Sequence, residues 1–567
     1  MYVERIPNRN SPPAVLLREA WRENGKICKR TIANLSDWPD EKVEALRRVL
    51  RDEPVVSPKE AFRIEASTPH GHVEAILGTI GKLGLDEWIA SKRSRQRDLV
   101  LAMMVERLIH PCSKLATTRL WQTTTLGEEL GVSDADEDEL YDALDWLLAA
   151  QNRIEKKLAR RHLAEGGLVL YDVSSSYYEG RTCPLARFGH DRDGKKGLPI
   201  IVYGVLTNAE GCPVVIDVYK GNTGDPSTLL DQVKKLRERF GLTRLVLVGD
   251  RGMITQAKID VLKQTSGVGW ITALRSEAIR SLVEGGHLQR SLFDQANLAE
   301  IHSPDYPDER LMACFNPLMA EQRRRKREEL LKETEKELTR ISKEAARRTK
   351  TPMDDKTIAM KVGKVINHFK MSKHFEIKIE TGTLAWNRRQ EADQREAELD
   401  GIYVVRTDQT VQQLSASDTV RSYKSLADVE RAFRCLKGID LRVRPIHHRT
   451  EDHVRAHFFL CMLAYYVEWH MRRALAPILF HDEDLPQSRQ QRDPVAPAQI
   501  SASAKQKKIR RRTADDLPVH SFDTLLQALS LRCRNRCSVK SDPSGAAFHQ
   551  ITETDPLQKR AFELLGL

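Results

Sequence analysis

The chain has 567 residues and a mass of 64.7 kDa, with 40% hydrophobic and 30% charged residues; at roughly 150 residues per domain that is apolar material for two to four domains. Plentiful Leu, Ile and Val exclude wholesale disorder, and no stretch approaches the ~20 uninterrupted apolar residues of a membrane span, since the best candidate, residues 454–467, carries His457. A net charge of +11 with a pI near 9.1 favours a polyanionic partner, and the opening Met1-Tyr2-Val3-Glu4-Arg5 lacks an apolar signal core, so a soluble intracellular protein is expected.

Residues 1–165 read as mainly helical after a short opening segment. Leu99, Leu101, Met104 and Leu108 predict a helix that stops at His110-Pro111. A second starts near Ser113 and carries Leu115, Leu120 and Trp121. With Arg107, Lys114 and Arg119 nearby, the pair suits a helix-turn-helix DNA reader; a packed helical hairpin suits it equally. A third helix, capped near Ser133, runs through Leu140, Leu144 and Leu147 toward Arg161.

The texture changes at Gly166. Apolar runs at 167–172, 199–206 and 214–219 read as strands, Asp225-Pro226 opens a helix, and 245–250 and 269–274 add two strands around another helix. Three strands, then helix, strand, helix, strand is the order of a ribonuclease H-like core, with an ordinary doubly wound domain as the competitor. The predicted organisation is therefore multidomain α/β: a mainly helical region over 1–165 whose helix pair suits DNA binding, a ribonuclease H-like mixed-sheet core split between 166–275 and 399–478, and an inserted subdomain over 276–398. Within the insertion, Leu331, Thr334, Leu338, Ile341 and Ala345 mark a long charged helix. Its opening Arg323-Arg324-Arg325-Lys326-Arg327 is either a phosphate grip or a solvated face. Residues 375–379 and 383–386 read as a hairpin, and 453–472 as a nearly all-apolar helix.

The tail, 479–567, reads as linker with a short helix, and its basic 505–512 patch as a solvated stretch resembling a localisation signal. The nine scattered cysteines are expected to be free thiols, because Cys533-x3-Cys537 lacks the paired spacing of a structural zinc site.

Asp172 and Asp250 each end an apolar strand and lead into small-residue turns, Val173-Ser174-Ser175-Ser176 and Arg251-Gly252-Met253. Sites in open α/β sheets form at the carboxyl ends of strands. Two such carboxylates on neighbouring strands repel unless a divalent cation lies between them, and oxygen-only ligands suit Mg²⁺ or Mn²⁺; turn capping is the plainer alternative. On a predicted helix over 423–437, one face carries Tyr423, Leu426, Glu430, Arg434 and Lys437. A phenol, a carboxylate and two cations along one stripe suit a metal-bound phosphodiester. Arg442, Arg444, His447, His448 and Arg449 follow directly.

Tyr423-x2-Leu426-x3-Glu430-x6-Lys437 resembles the Y-x2-R-x3-E-x6-K signature of bacterial insertion-sequence transposases with a DDE triad. The words Y-D-V-S-S-S-Y-Y-E-G at 171–180, V-G-D-R-G-M at 248–253, V-E-R-A-F-R-C-L-K at 429–437 and R-P-I-H-H-R-T-E-D-H-V-R-A-H at 444–457 fit too, as does R-L-I-H-P-C-S-K-L-A-T-T-R at 107–119. The resemblance covers about residues 95–475. It implies Asp172, Asp250 and Glu430 as catalytic and metal-binding residues, with two Mg²⁺ or Mn²⁺ ions roughly 3.5–4 Å apart. It further implies cleavage at element ends, followed by transfer of the freed 3′-hydroxyl into target DNA. DNA contacts are expected from Tyr423, Arg434, Lys437, Arg442, Arg444, His448 and Arg449.

The implied partners are double-stranded DNA, as terminal inverted repeats and target, and further copies of the chain, as a homodimer or higher oligomer on DNA. The implied location is the bacterial cytoplasm, at the nucleoid. One departure stands out: Leu426 occupies the signature arginine's place, so that Arg434 supplies the cation instead, or the arginine is dispensable here, or this copy is impaired. Lys220-Gly221-Asn222-Thr223-Gly224-Asp225 lacks the order of a phosphate loop, so no nucleotide cofactor is implied. Asp217 reads as structural, Asp225 as a helix cap, and His457 as a core histidine. A nuclease that cuts without joining, and a DNA-binding relic without activity, remain as rival readings.

Overall fold

The apolar runs between 167 and 274 become five strands of one sheet because each buries both faces: β1 (Leu168–Tyr177), β2 (Ile200–Asn208), β3 (Pro213–Lys220), β4 (Leu245–Val248) and β5 (Val268–Ala273). Three further strands, β6 (Leu298–Ile301), β7 (Arg310–Phe315) and β8 (Ile402–Thr407), complete an eight-stranded sheet of order β6-β7-β8-β5-β4-β1-β2-β3. β1, β2 and β3 form an antiparallel meander, whereas β4 runs parallel to β1 and β5 parallel to β4. That mixed order is consistent with a ribonuclease H-like core and sets aside the doubly wound alternative, whose strands would all run parallel. The computed structural model describes residues 1–9, 11–53, 62–539 and 547–567.

Helices α1 (Arg95–Ile109), α2 (Glu137–His162) and α6 (Glu451–Ala474) pack with the sheet into the main core. The predicted apolar helix is α6, and every residue from Ala456 to Glu468 along it is buried. No described helix is long and apolar enough to cross a membrane. In α1 every residue from Asp98 to Leu108 is buried, so neither face is free to enter a DNA groove. Arg107 donates to the Cys112 carbonyl at 3.2 Å and Lys114 is buried, its ammonium pushed down to about 7 by burial. The first helix of the 95–121 pair is thus packed into the core, while the second keeps Leu115 and Arg119 exposed. The cap of α2 falls at Asp136, three positions beyond Ser133, where a reciprocal capping box with Glu139 forms.

The insertion is less separate than its sequence suggests. β6 and β7 extend the eight-stranded sheet over their own small core of Leu282, Leu311 and Val404. Beyond them, α3 (Pro317–Arg347) and α4 (Asp355–Phe369) form an arm with the hairpin Phe375–Glu380/Thr383–Arg388. Leu331, Thr334, Leu338, Ile341 and Ala345 are the buried residues of α3, as their spacing predicts.

The mainly helical N-terminus is overturned. Tyr2–Ile6, Ala14–Glu23 and Lys26–Asn34 form an antiparallel sheet against the helix Asp40–Leu50, around Val15, Leu35 and Val43. These strands are largely exposed and charged on both faces, so they lack the alternation that marks a strand in sequence. Phe62–Pro69 pairs with Cys533–Val539, which pairs with Ala547–Ile551. The chain divides accordingly into Met1–Pro69 with Arg532–Glu553, and His70–Leu531 with Thr554–Leu567.

The linker reading of the tail is also corrected. Arg489 pairs with Asp428 at 2.9 Å, Lys424 donates to the Val495 carbonyl at 3.0 Å, and Lys507 lies buried on Glu483 and the Ala476 carbonyl. Polar composition there serves charge pairing with the core.

Candidate active site

The parallel register pairs Leu168 with Val246, Val169 with Leu247 and Leu170 with Val248. Asp172 and Asp250 each lie two residues beyond the last pair, on adjacent strand paths whose spacing is about 4.8 Å. Contrary to expectation, β1 does not end at Asp172: Val173 to Tyr177 continue it, paired with β2. Only the pairing with β4 stops, which opens that edge of β1 where Asp172 sits. The Asp172 Oδ1 accepts its neighbour Val173 N–H at 2.8 Å. The Asp250 Oδ1 accepts the N–H groups of Gly252 at 3.0 Å and Met253 at 2.7 Å, which fixes the carboxylate in its turn.

Glu430 comes from the helix α5 (Leu426–Arg434), which packs on β1 and β2. The predicted continuous helix over 423–437 is three pieces: Ala416–Lys424 ends at Ser425, α5 follows, and a wider turn, Cys435–Ile439, closes it. A cleft of about 520 Å³ opens beside Glu430, lined by Asp250, Arg251, Arg323, Tyr423 and Lys424 among others. Burial pushes the Asp172 carboxyl up to about 7, and the charges of Asp250 and Glu430 push the same way. Burial, then Asp250, raises the Tyr423 phenol to about 12, so it stays a neutral donor. The negative charges of Asp250 and Glu430 thus both reach Asp172, against the positive charge of Arg192.

The cations sort less simply. Lys437 and Arg444 both hold the buried Asp193, at 2.9 and 2.6 Å. Arg192 beside it pairs with Asp225, which is therefore an ion-pair partner; the cap of that helix is Gly224. Arg434, Arg442 and Arg449 are exposed. His448 is turned inward, 4.7 Å from the His457 ring and 5.9 Å from Tyr141, and burial holds it near 3. It is half-buried and does not line the cleft. His457 is a core histidine, as expected, against the Val443 carbonyl. Asp217 is structural, held by Lys235 and Gln232. Leu426 is 9% exposed, a core residue. Of the Arg323–Arg327 run, Arg324 and Arg325 are taken by Glu321 and Glu329, and Arg327 by Asp400; Arg323 alone reaches the cleft lining.

Sequence reasoning missed Asp193 and Arg251; Arg323 belongs to the run read as either a phosphate grip or a solvated face. No local signal marks Asp193, whose partners lie some 250 residues away; Arg251 was visible beside Asp250. The donor set itself fits hard divalent cations: three carboxylates, no sulfur or imidazole, and a raised Asp172 that an added cation would relieve.

The mixed sheet, consistent with a ribonuclease H-like core, carries Asp172 and Asp250 on adjacent strand paths, and Glu430 stands on a helix packed against it. Residues 181–467, half of the chain, match the transposase DDE domain family, and the chain belongs to it. Asp250 and Glu430 fall inside the matched stretch and Asp172 just ahead of it. Residues 3–55 match the N-terminal domain of IS1634 family transposases. No curated protein matches the chain. Among solved structures, the cryo-EM structure of a piggyBac transposase synaptic complex with hairpin DNA aligns over 83% of this chain and 81% of its own, at 8% identity and a TM-score of 0.34, too low to carry an argument.

Proposed function

We propose that this chain is an active transposase that cuts the ends of its element and joins the freed 3′-hydroxyls to target DNA. The observation that carries this is the placement of Asp172 and Asp250, each two residues beyond the last β1–β4 pair, beside the cleft that Asp250 and Glu430 line. Asp172, Asp250 and Glu430 would hold Mg²⁺ or Mn²⁺ ions. Bound there, such ions supply activation of the attacking oxygen and stabilisation of the leaving one. Tyr423 donates its phenol proton to a phosphate oxygen at the cleft, and Arg323 and Arg251 offer charge there. Lys437 and Arg444, oriented by Asp193, approach the adjacent backbone, and Arg434, Arg442 and Arg449 extend the basic ground. Water attacks the end phosphodiester first; the 3′-hydroxyl then attacks a target phosphodiester, so one site performs both displacements. Two DNA ends call for at least two copies of the chain on DNA.

The test is cleavage of DNA carrying the gene and its own flanks, with Mg²⁺ or Mn²⁺. Wild type is expected to nick at flanking inverted repeats and to join those ends to a second DNA, and Asp172→Asn and Glu430→Gln to do neither. Nicks without joined product would make the protein a nuclease, and specific binding without nicks a relic.

A further inference from the structure

Away from the cleft, three residues distant in sequence converge behind the β2–β3 edge. His162 ends α2, Cys212 lies in the turn between β2 and β3, and His470 stands on α6. One ligand atom from each lies within 4.8 Å of the other two. Tetrahedral bonds of about 2.1 Å to nitrogen and 2.3 Å to sulfur put ligands roughly 3.3–3.6 Å apart, so closing the set needs about 1 Å of side-chain movement. Cys212 is fully buried, and its backbone N–H is anchored on Asn208 Oδ1 at 2.9 Å. The Nε2 of His470 is buried and has no hydrogen-bond partner among the described residues, a costly state for an imidazole nitrogen that a metal bond would remove. His162 Nε2 lies 2.9 Å from the Tyr466 hydroxyl, which orients that ring as outer-shell partners orient metal-bound histidines. Aromatic rings wall the site, with Trp469 and Tyr466 each against His470.

Nearby cations are engaged elsewhere. Arg161 donates to the Leu83 carbonyl at 2.7 Å and lies over Trp88, while Arg473 pairs with Glu210 and lies over Trp469.

We propose that His162, Cys212 and His470 form a second metal site, for a borderline-soft divalent cation of the Zn²⁺ type. Two imidazoles and a thiolate select such an ion over Mg²⁺, whereas the oxygen-only triad selects the reverse. On binding, the Cys212 thiol releases its proton to solvent and its sulfur bonds the metal, and a water fills the remaining position. The ion pins α2, the β2–β3 turn and α6 together, so its role is structural and independent of the transposase reading.

Co²⁺ titration of metal-stripped full-length protein tests this, because a cobalt–thiolate bond gives a charge-transfer band that carboxylate ligands do not. Wild type is expected to show that band, with the intense visible bands of tetrahedral cobalt, saturating at one equivalent and displaced by Zn²⁺. Zn²⁺ is expected to raise the Tm as well. Asp172→Asn/Glu430→Gln should keep the band, Cys212→Ser should lose it, and His470→Gln should weaken binding at least tenfold. Should Cys212→Ser fail to fold, by circular dichroism, His162→Gln at the helix end decides, through loss or retention of the tetrahedral bands. No thiolate band in wild type, or a band unchanged in Cys212→Ser or in His162→Gln, overturns the site.

Discussion

Asp172 couples pH, metal and stability at the level of one carboxyl. Its folded-state pKa, about 7, lies above the ~3.9 of an unfolded aspartate. The folded chain thus holds the proton more tightly, and the resulting stabilisation is complete below about pH 4 and lost as pH rises through about 7. Glu155 and Glu468, raised to about 7 by burial, slope the same way, so the informative quantity is a difference between proteins. Without metal, wild-type Tm should fall more steeply from about pH 5 to about pH 8 than that of Asp172→Asn, and Mg²⁺ should flatten only the wild-type curve. Equal slopes would remove Asp172 from the metal site. Leu426 makes the opposite case. Because it packs in the core, restoring the signature arginine buries a charge, and Leu426→Arg should cost about 2–4 kcal/mol in denaturant unfolding. Arg434→Ala, at an exposed position, should leave stability within about 0.5 kcal/mol and lower end cleavage.

At the scale of elements, legibility followed burial. β1 to β5 were visible as apolar runs because they are covered on both faces, and α3 because its five buried positions keep helical spacing. The N-terminal strands were not, since Lys26–Asn34 carries charge on both exposed faces and leans on few apolar residues. The site was half legible. Asp250 and Glu430 announce themselves by strand end and helix face, and Asp172 was found at a strand end that the structure moves into mid-strand. Asp193 was invisible, because a buried carboxylate defined by Lys437 and Arg444 has no local signature. Asp193→Asn leaves two partly buried cations short of an anion and should cost roughly 3 kcal/mol by chemical denaturation. The arm gives a contrasting expectation. Its core of Leu331, Leu338, Ile358 and Phe375 is separate from the main one, so Leu338→Ala, worth about 3 kcal/mol, should act locally. Amide exchange should quicken across 317–388 and stay unchanged in α6; faster exchange in both would mean that the arm and core unfold together.

The whole chain is threaded so that its ends cannot be trimmed independently. It begins in one unit, passes through the other, returns at Arg532–Glu553, and finishes in the second unit with the helix Pro556–Leu565. Removing residues 1–69 takes Phe62–Pro69 away from Cys533–Val539, which bares the edge of a two-stranded remnant whose Phe548 and Ile551 are already exposed. An isolated hairpin is marginal, and its open edge invites association. The same hairpin leaves its own exit close at hand: Thr552 N–H donates to the Cys533 carbonyl at 2.9 Å, so excising 532–553 and joining Leu531 to Thr554 asks for little rearrangement. The last helix keeps its anchors in either case, since Lys82 donates to the Leu565 carbonyl at 2.5 Å and Gln558 to that of Ala528 at 2.9 Å. A chain lacking only 1–69 is therefore expected to aggregate on size exclusion. One lacking both 1–69 and 532–553 should elute as a discrete species and unfold cooperatively. Equal solubility of the two would show that the returning strands stand without their N-terminal partner.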